Sequence, residues 1–232
     1  MTGRGRSIKY FHRPSSNPEA SIGLKLSAAS PKLEAESDTP YYLVVTARIL
    51  NSPHPRKSVT LATQWNPLQG WLGNFSLSGI KCIHPEASVE KRKYIGTGRP
   101  GCTASTRDRW KDWRKLYDFV TLHPNEELHV KYEVPRENIR AAGVQKGEKY
   151  RVELTRSGLG TYWWMYGSLD DYPGFKFRKW ERGGWRDWEE DEYMDSDSDD
   201  DEQGDCPGWT MGEDPSLLGM EIEEGVVEFE VI

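Results

Sequence analysis

The chain has 232 residues, enough for one large β domain or for one domain with tails. Hydrophobic residues make up 36% of it, below the usual share for a globular protein, which indicates that part of the chain is not packed. The formal net charge of −6 conceals an asymmetry, because residues 187–205 contain 12 acidic residues and no lysine or arginine. Without this run, 25 acidic residues face 31 basic ones, so the rest of the chain is mildly basic.

Cysteine usage and the N-terminal sequence both bear on the cellular location. The three cysteines, Cys82, Cys102 and Cys206, have no CxxC spacing. No apolar run approaches the ~20 residues of a membrane-spanning helix, and the N-terminus has no hydrophobic signal core. We therefore expect an intracellular protein, cytoplasmic or nuclear, with reduced thiols and no membrane association.

The first 65 residues contain three predicted strands. Residues 1–20 are polar and basic with two prolines, and we expect a flexible basic arm. Residues 21–29 alternate apolar and polar side chains, and residues 41–50 give the strongest strand signal because they are β-branched and aromatic. A proline-containing turn separates the latter from a third strand at 58–65. This arrangement predicts a β-hairpin.

Residues 118–154 show the clearest alternation in the chain. Large apolar residues recur at every second position, which places them on one buried face of an antiparallel sheet. Turn residues separate three predicted strands at 119–122, 128–134 and 150–154. Two further strands are predicted at 74–83, where a glycine indicates a bulge or bend, and at 160–168, which is rich in aromatic residues.

The remaining segments differ in character. Residues 105–117 are the main helical candidate, with Trp110, Trp113 and Tyr117 on one face. Residues 179–212 predict a tryptophan-containing acidic loop that is largely disordered, because like charges repel and cannot pack. Within residues 213–232, alternation resumes near the end, which predicts a terminal strand that returns to the sheet.

Three of these segments carry a resemblance to a known kind of domain. They are the long strand Tyr42–Asn51 and two short motifs, Val-Thr-Leu-x-Pro-x-Glu and Gly-Glu-x-Tyr-x-Val. The motif residues are Val120, Thr121, Leu122, Pro124 and Glu126, followed by Gly147, Glu148, Tyr150 and Val152. Residues 21–168 thereby resemble an immunoglobulin-like β-sandwich of the kind found in uncharacterised proteins of filamentous fungi. More loosely, they are similar to the sandwich domains of intracellular proteinase inhibitors.

The resemblance gives the predicted fold class. We expect an all-β, immunoglobulin-like antiparallel β-sandwich over residues 21–178, with long loops and an acidic disordered insertion. The eight or so predicted strands, with turn signals throughout, are themselves typical of a sandwich or barrel. The chain lacks the Cys…Trp…Cys spacing of true immunoglobulin domains.

No sequence motif predicts catalysis. Residues 96–101 match GxGxxG, but a proline interrupts them and no βαβ unit surrounds them. The five histidines lie in separate segments without HExxH spacing, and no G-x-S-x-G segment occurs. We predict no catalytic residue, metal or cofactor.

Aromatic residues are the candidate binding residues. Trp163 and Trp164 are neighbours on a predicted strand, so one is expected to face inward and the other outward. The outward ring, with Tyr162 or Tyr166, would form a stacking platform for a sugar or a base. Trp110, Trp113 and Trp188 lie in further charged, aromatic-rich segments. The alternative is that these rings simply cover the open ends of the sandwich.

The acidic run at residues 187–205 has three interpretations. It is a solvated loop, an electrostatic mimic of nucleic acid that binds a protein with a basic surface, or an internal mask over basic segments. Trp188 and Tyr193 would be its apolar anchors. Ser196 and Ser198 are followed by acidic residues, as an acid-directed kinase requires, so phosphorylation would add charge there.

The predicted function is a non-catalytic intracellular binding or adaptor module. Exposed aromatic rings and residues 187–205 would contact a protein partner. Nucleic acid is disfavoured because the basic residues are scattered and the acidic run would repel phosphate. The alternatives are a carbohydrate-binding sandwich with a Trp/Tyr platform and an intracellular protease inhibitor, the latter by fold analogy alone.

Overall fold

A computed structural model describes residues 17–34, 36–64, 66–69, 112–134, 146–154, 159–178 and 208–232, and the backbone of residues 80–83. In these ranges the chain forms 13 strands and one short α-helix. In chain order they are β1 (Ala20–Ala28), β2 (Lys32–Leu33), β3 (Tyr41–Asn51), β4 (Val59–Ala62), β5 (Ile80–Ile83), α1 (Trp113–Leu116), β6 (Phe119–Leu122), β7 (Leu128–Val134), β8 (Lys149–Leu154), β9 (Trp164–Tyr166), β10 (Lys176–Arg178), β11 (Trp209–Met211), β12 (Leu218–Glu224) and β13 (Val226–Val231).

The described strands form four sheets. The first sheet has the order β12-β1-β3-β7, the second β2-β13-β8-β5, the third β6-β4-β9, and the fourth consists of β10 and β11. The β-rich class predicted from the sequence is confirmed. The prediction of a wholly antiparallel arrangement is wrong, because β1 with β12, β2 with β13 and β10 with β11 pair in parallel. These partners are joined by long connections, which parallel pairs require.

The first three sheets share one hydrophobic core. Along β3, Tyr41, Leu43, Val45 and Ala47 are buried, and the side chains between them are half-buried. The same period of two buries every second residue of β8. This alternation, which the sequence predicted, is confirmed. Full burial of each large apolar side chain contributes about 1.5–3 kcal/mol, so the core is the main stabilising feature.

The predicted hairpin of residues 41–50 and 58–65 is wrong. Strand β3 pairs with β1 and β7 in the first sheet, whereas β4 pairs with β6 and β9 in the third. The proline-containing turn therefore crosses from one sheet to another. The physical reason is that all four residues of β4 are buried. A strand of this kind belongs at the centre of a covered sheet and not in a half-exposed hairpin.

Short segments account for most of the other differences. Strand β11 lies within the predicted acidic loop, and β2 and β10 were not predicted at all. Each has only two or three residues, too few for a period to be visible. In the helical candidate 105–117, the described helix is Trp113–Leu116, where Asp112 caps the N-terminus by accepting from the Arg114 backbone N–H.

A bidentate ion pair lies across the outer face of the first sheet. Arg48 on β3 donates to both carboxylate oxygens of Glu223 on β12, at 3.0 and 2.6 Å. Between them on β1 is Gly23, where a Cβ atom would overlap the Glu223 carboxylate. The glycine therefore allows the pair to span the middle strand. The hydrogen bond from Arg48 lowers the pKa of Glu223 from its ordinary value of 4.5.

Replacing Glu223 with glutamine should reduce the free energy of unfolding in a pH-dependent way. Because the folded-state pKa is lowered, the ion pair stabilises the fold above the unfolded pKa, and this contribution is lost as the pH falls through the folded pKa. The difference between wild type and Glu223→Gln, measured by urea unfolding, should thus be largest near neutrality and vanish in acid. Glu221→Gln, an exposed change on the same strand, is the control. An equal pH dependence in both variants would contradict the assignment.

A second prediction concerns Gly212, which lies against the ring of Trp163. A Cβ atom at Gly212 would lie 2.6 Å from Trp163 Nε1, which donates to the Arg178 carbonyl at 2.8 Å. The ring cannot move aside, because it is fully buried and stacked on Phe177. Gly212→Ala should therefore destabilise the fold by about 1–3 kcal/mol, measured by urea unfolding.

The control for this prediction is Gly147→Ala. Gly147 has a φ of +84°, and a Cβ there would have no atom within 4 Å. In this variant the alanine side chain meets no other atom, so its effect on the free energy of unfolding measures only the cost of the left-handed backbone conformation, about 1–2 kcal/mol. If Gly212→Ala left stability unchanged, the packing described around Trp163 would be wrong.

Candidate functional site

A polar cleft lies at one edge of the third sheet. Because β4 runs antiparallel to both β6 and β9, the start of β4 meets the ends of its two neighbours, with Val59 opposite both Leu122 and Tyr166. The segments next to these positions converge on a cleft of about 540 Å³, here called the strand-end cleft. Its lining residues are Arg56, Lys57, Ser58, His123, Tyr166, Gly167, Ser168, Asp171 and Tyr172.

Hydrogen bonds between the strand ends fix the floor of the cleft. The Gly167 N–H donates to the Ser58 carbonyl at 2.8 Å, and the Thr60 hydroxyl donates to the Gly167 carbonyl at 2.7 Å. Ser58 Oγ lies 2.9 Å from His123 Nδ1, so this hydroxyl and imidazole are held together. Gly167 has a φ of +114°, a backbone conformation that favours glycine at this sharp turn.

The far wall of the cleft is a short 3-10 turn at Leu169–Asp171. Its capping residue Ser168 accepts from the Asp170 N–H at 3.1 Å, and Asp171 Oδ2 accepts from the Ser168 N–H at 2.6 Å. Arg114 of α1 donates to the carbonyl of Tyr172 and, at 3.4 Å, to that of Phe175. Hydrogen bonds from Arg114 therefore connect α1 to this wall and hold it in place.

Tyr166 is the aromatic residue of the cleft. Its ring is half-buried and packs edge-on against His54, with ring centroids 4.7 Å apart. Its hydroxyl lies 3.1 Å from a carboxylate oxygen of Glu19. Burial, followed by this hydrogen bond to Glu19, raises the pKa of Tyr166 to about 12. The phenol is therefore protonated and neutral at physiological pH.

The lining residues of the cleft include two cations and one carboxylate, and the Glu19 carboxylate lies beside them, 3.1 Å from the Tyr166 hydroxyl. Arg56 and Lys57 are exposed at its rim, and Asp171 is the one carboxylate among its lining residues. The Asp171 carboxylate already accepts a backbone hydrogen bond within its own turn. The free hydrogen-bonding capacity of the rim is therefore mainly cationic.

The predicted outward orientation of Trp163 or Trp164 is wrong. Both side chains have 0% exposed surface, and Trp113 has 5%. The two neighbours do point to opposite faces of the strand, but both faces are covered. Trp164 joins the core of the three large sheets, whereas Trp163 joins a second cluster with Trp113, Phe177, Ala62 and Met165. None of the three tryptophans offers a ring to a ligand in this structure.

Several other candidates lie outside the described residues. These are Trp110, Trp188, Tyr193, Ser196, Ser198 and the glycine-rich segment 96–101. Of the predicted aromatic binding residues that are described, Tyr166 alone lies in the cleft. The other cleft residues were not predicted as binding residues. The sequence contains one weak indication of them: they lie in turns next to strand ends, where binding residues are common.

Two arrangements of reactive side chains are absent from the described residues. No group of three or more His, Cys, Asp or Glu side chains among them is arranged to hold a metal ion. The contact between Ser58 and His123 lacks the third, orienting carboxylate of a catalytic triad within this part of the chain. None of the helices in the described ranges is long and apolar enough to cross a membrane.

The Tyr166 environment gives a testable titration. We expect the Tyr166 ¹³Cζ resonance, assigned with Tyr166→Phe, to titrate at about pH 12 rather than near pH 10. Because the folded-state pKa is raised, its stabilising contribution is complete below pH 10 and lost as the pH rises toward 12. In Glu19→Gln the pKa should fall but remain above 10, because burial is the larger cause. A return to 10 in that variant would contradict this order of causes.

Comparison with known proteins gives one weak structural match and no family. No protein-family model matches the chain, and neither does any curated protein. Among solved structures there is a weak match to AggA, the major subunit of aggregative adherence fimbriae type I from Escherichia coli. The identity is 12% and the TM-score 0.26, over 63% of this chain and 90% of that one. A likeness at this level supports neither a family nor a function.

Proposed function

We propose that this protein is a non-catalytic intracellular binding module, in which an immunoglobulin-like β-sandwich carries an acidic segment that binds a protein partner. The observation that supports this proposal is the attachment of residues 179–207. The strands on either side of this segment, β10 and β11, pair with each other in parallel. Both ends of the segment are therefore held at one place on the folded body.

Several contacts fix these two ends. The Phe177 N–H donates to Asp112 Oδ1 at 2.8 Å, and the Lys176 N–H donates to the Gly208 carbonyl at 3.1 Å. The Lys176 ammonium lies 5.4 Å from the centre of the Trp209 ring, a cation–π contact. Phe177 is fully buried in the second cluster. An insertion attached so firmly is suited to presenting a charged segment from a rigid base.

The sandwich part of the proposal has one support. Inward-facing residues of two four-stranded sheets fill a common core, as in a β-sandwich.

Charge identifies the kind of partner that the acidic segment would bind. Residues 187–205 hold 12 acidic residues without a basic one, so a protein with a basic surface is the electrostatic complement. Trp188 and Tyr193 would add apolar contacts. Phosphorylation of Ser196 and Ser198 would add about −1.5 to −2 charges each and strengthen the attraction. Nucleic acid would be repelled.

The carbohydrate alternative is weakened by the burial of Trp163 and Trp164, which removes the proposed platform. The protease-inhibitor alternative has no supporting contact among the described residues.

The proposal predicts that partner binding depends on residues 187–205 and on salt. A pull-down from the native cell extract should recover partners with the full chain and lose them when these residues are deleted. Raising the salt from 0.1 to about 1 M should also release them, because the screening length falls from about 10 to 3 Å. Quantitative mass spectrometry of the bound fraction is the measurement.

A matched control keeps the length of the segment and removes its charge. In this variant the 12 acidic residues of 187–205 are replaced by asparagine and glutamine. Loss of partners in both variants would support electrostatic recognition. Partners retained by the deletion variant in high salt would refute the proposal and direct attention to the folded body.

A further inference from the structure

We propose that the strand-end cleft is a second binding site, which takes a ligand carrying a phosphomonoester group. This site is separate from the acidic segment and would bind a ligand of opposite charge to that segment's partner. The inference rests on the position of the cleft, its charge, its hydrogen-bond donors and its aromatic walls.

The position of the cleft makes it preformed. Most of its residues lie at the ends of three adjacent strands. The Gly167 N–H, which donates to the Ser58 carbonyl, and the Thr60 hydroxyl, which donates to the Gly167 carbonyl, join those ends directly. The opposite wall is held by the capping interactions of Ser168 and Asp171 and by Arg114. A site supported in this way loses little conformational entropy when a ligand binds.

The charge of the cleft favours an anion. Arg56 and Lys57 are adjacent and exposed, and Asp171 is the one opposing carboxylate among the lining residues. A guanidinium supplies two parallel donors that match the oxygens of a phosphate or carboxylate. The ammonium next to it supplies a compact point charge. Together they suit a doubly charged group better than a single carboxylate.

Neutral donors complete the arrangement. Ser58 Oγ and His123 Nδ1 are 2.9 Å apart. In the tautomer that carries the proton on Nδ1, the imidazole donates to Ser58, whose own proton is then available to the ligand. Arg56, Lys57 and Ser58 would thus present donors from consecutive residues to a tetrahedral group that offers three oxygens.

The aromatic walls indicate that the ligand is larger than phosphate alone. Tyr166 and Tyr172 line the cleft, whose volume of about 540 Å³ is within the range of small-molecule sites. Tyr166 itself is neutral, whereas Glu19, whose carboxylate lies 3.1 Å from the Tyr166 hydroxyl, carries a negative charge on the outer side of this wall. A phosphorylated side chain of a peptide and a small phosphorylated metabolite share this chemistry, and the experiment separates them.

The test is an NMR titration of the full-length ¹⁵N-labelled chain with phenyl phosphate. We expect saturable shifts of the amide signals of residues 56–58, His123 and residues 167–168. Replacing both cations, in Arg56→Gln/Lys57→Gln, should weaken binding at least about tenfold. The matched control is Lys131→Gln/Lys149→Gln, which removes two exposed charges on β7 and β8 and should leave the affinity unchanged.

A third variant acts in the opposite direction. Asp171→Asn removes the opposing charge but retains an oxygen that can accept from the Ser168 N–H. It should tighten binding by about two- to fivefold. A gain of affinity cannot come from unfolding, so this variant keeps the test informative even if the double variant is unstable.

Two further probes distinguish a phosphorylated protein from a small phosphorylated metabolite as the ligand. A phosphoserine peptide that binds more tightly than free O-phosphoserine would identify a phosphorylated protein as the ligand, and the reverse order would identify a small metabolite. Either result supports the site. Absence of saturable shifts with phenyl phosphate, or equal weakening in the β7/β8 control variant, would overturn it, without consequence for the acidic segment.

Discussion

The burial of β4 on both faces is the constraint on which the rest of the structure depends. This strand is at the centre of the third sheet and has no exposed residue. On one face, Leu61 packs into the hydrophobic core that the third sheet shares with the two four-stranded sheets. On the other face, Ala62 packs into the cluster built around Trp163 and Phe177. Trp113 of α1 and Phe177 of β10 cover the second face, and β11 pairs with β10. Such short elements would be only marginally stable without this packing. The attachment of the acidic segment follows from this double covering, because β10, which precedes that segment, contributes Phe177 to the second cluster.

The two proposed sites have opposite charge and different support. The acidic segment is attached through the second cluster, where aromatic stacking and the Asp112 hydrogen bonds hold its ends. The cleft is built on hydrogen bonds between strand ends, and its cations project from a turn. In both cases a rigid arrangement of strands supports the chemistry, and the charged residues lie on the segments between strands.

Periodicity predicted most of the longer strands but not their partners. The bounds of β6 and β7 were predicted to the residue, because four to seven residues of alternation are a sufficient local signal. Whether a strand is covered on one face or two is decided by distant segments, so Trp163 and Trp164 could not be placed. The cleft was beyond prediction for the same reason. Ser58, His123 and Tyr166 come together only once the order of strands in the third sheet is known.

The pairing of β12 with β1 has a consequence for synthesis of the chain. Lys25 and Glu224, which form an ion pair between these strands, are separated by 199 positions in sequence. Strand β13 likewise pairs with both β2 and β8. Neither four-stranded sheet can therefore be completed until these late strands have left the ribosome. Contacts between residues so far apart in sequence form slowly. Until β12 is available, the edge of β1 that it covers stays unpaired. During synthesis this edge is therefore the part of the sheet most open to pairing with another chain.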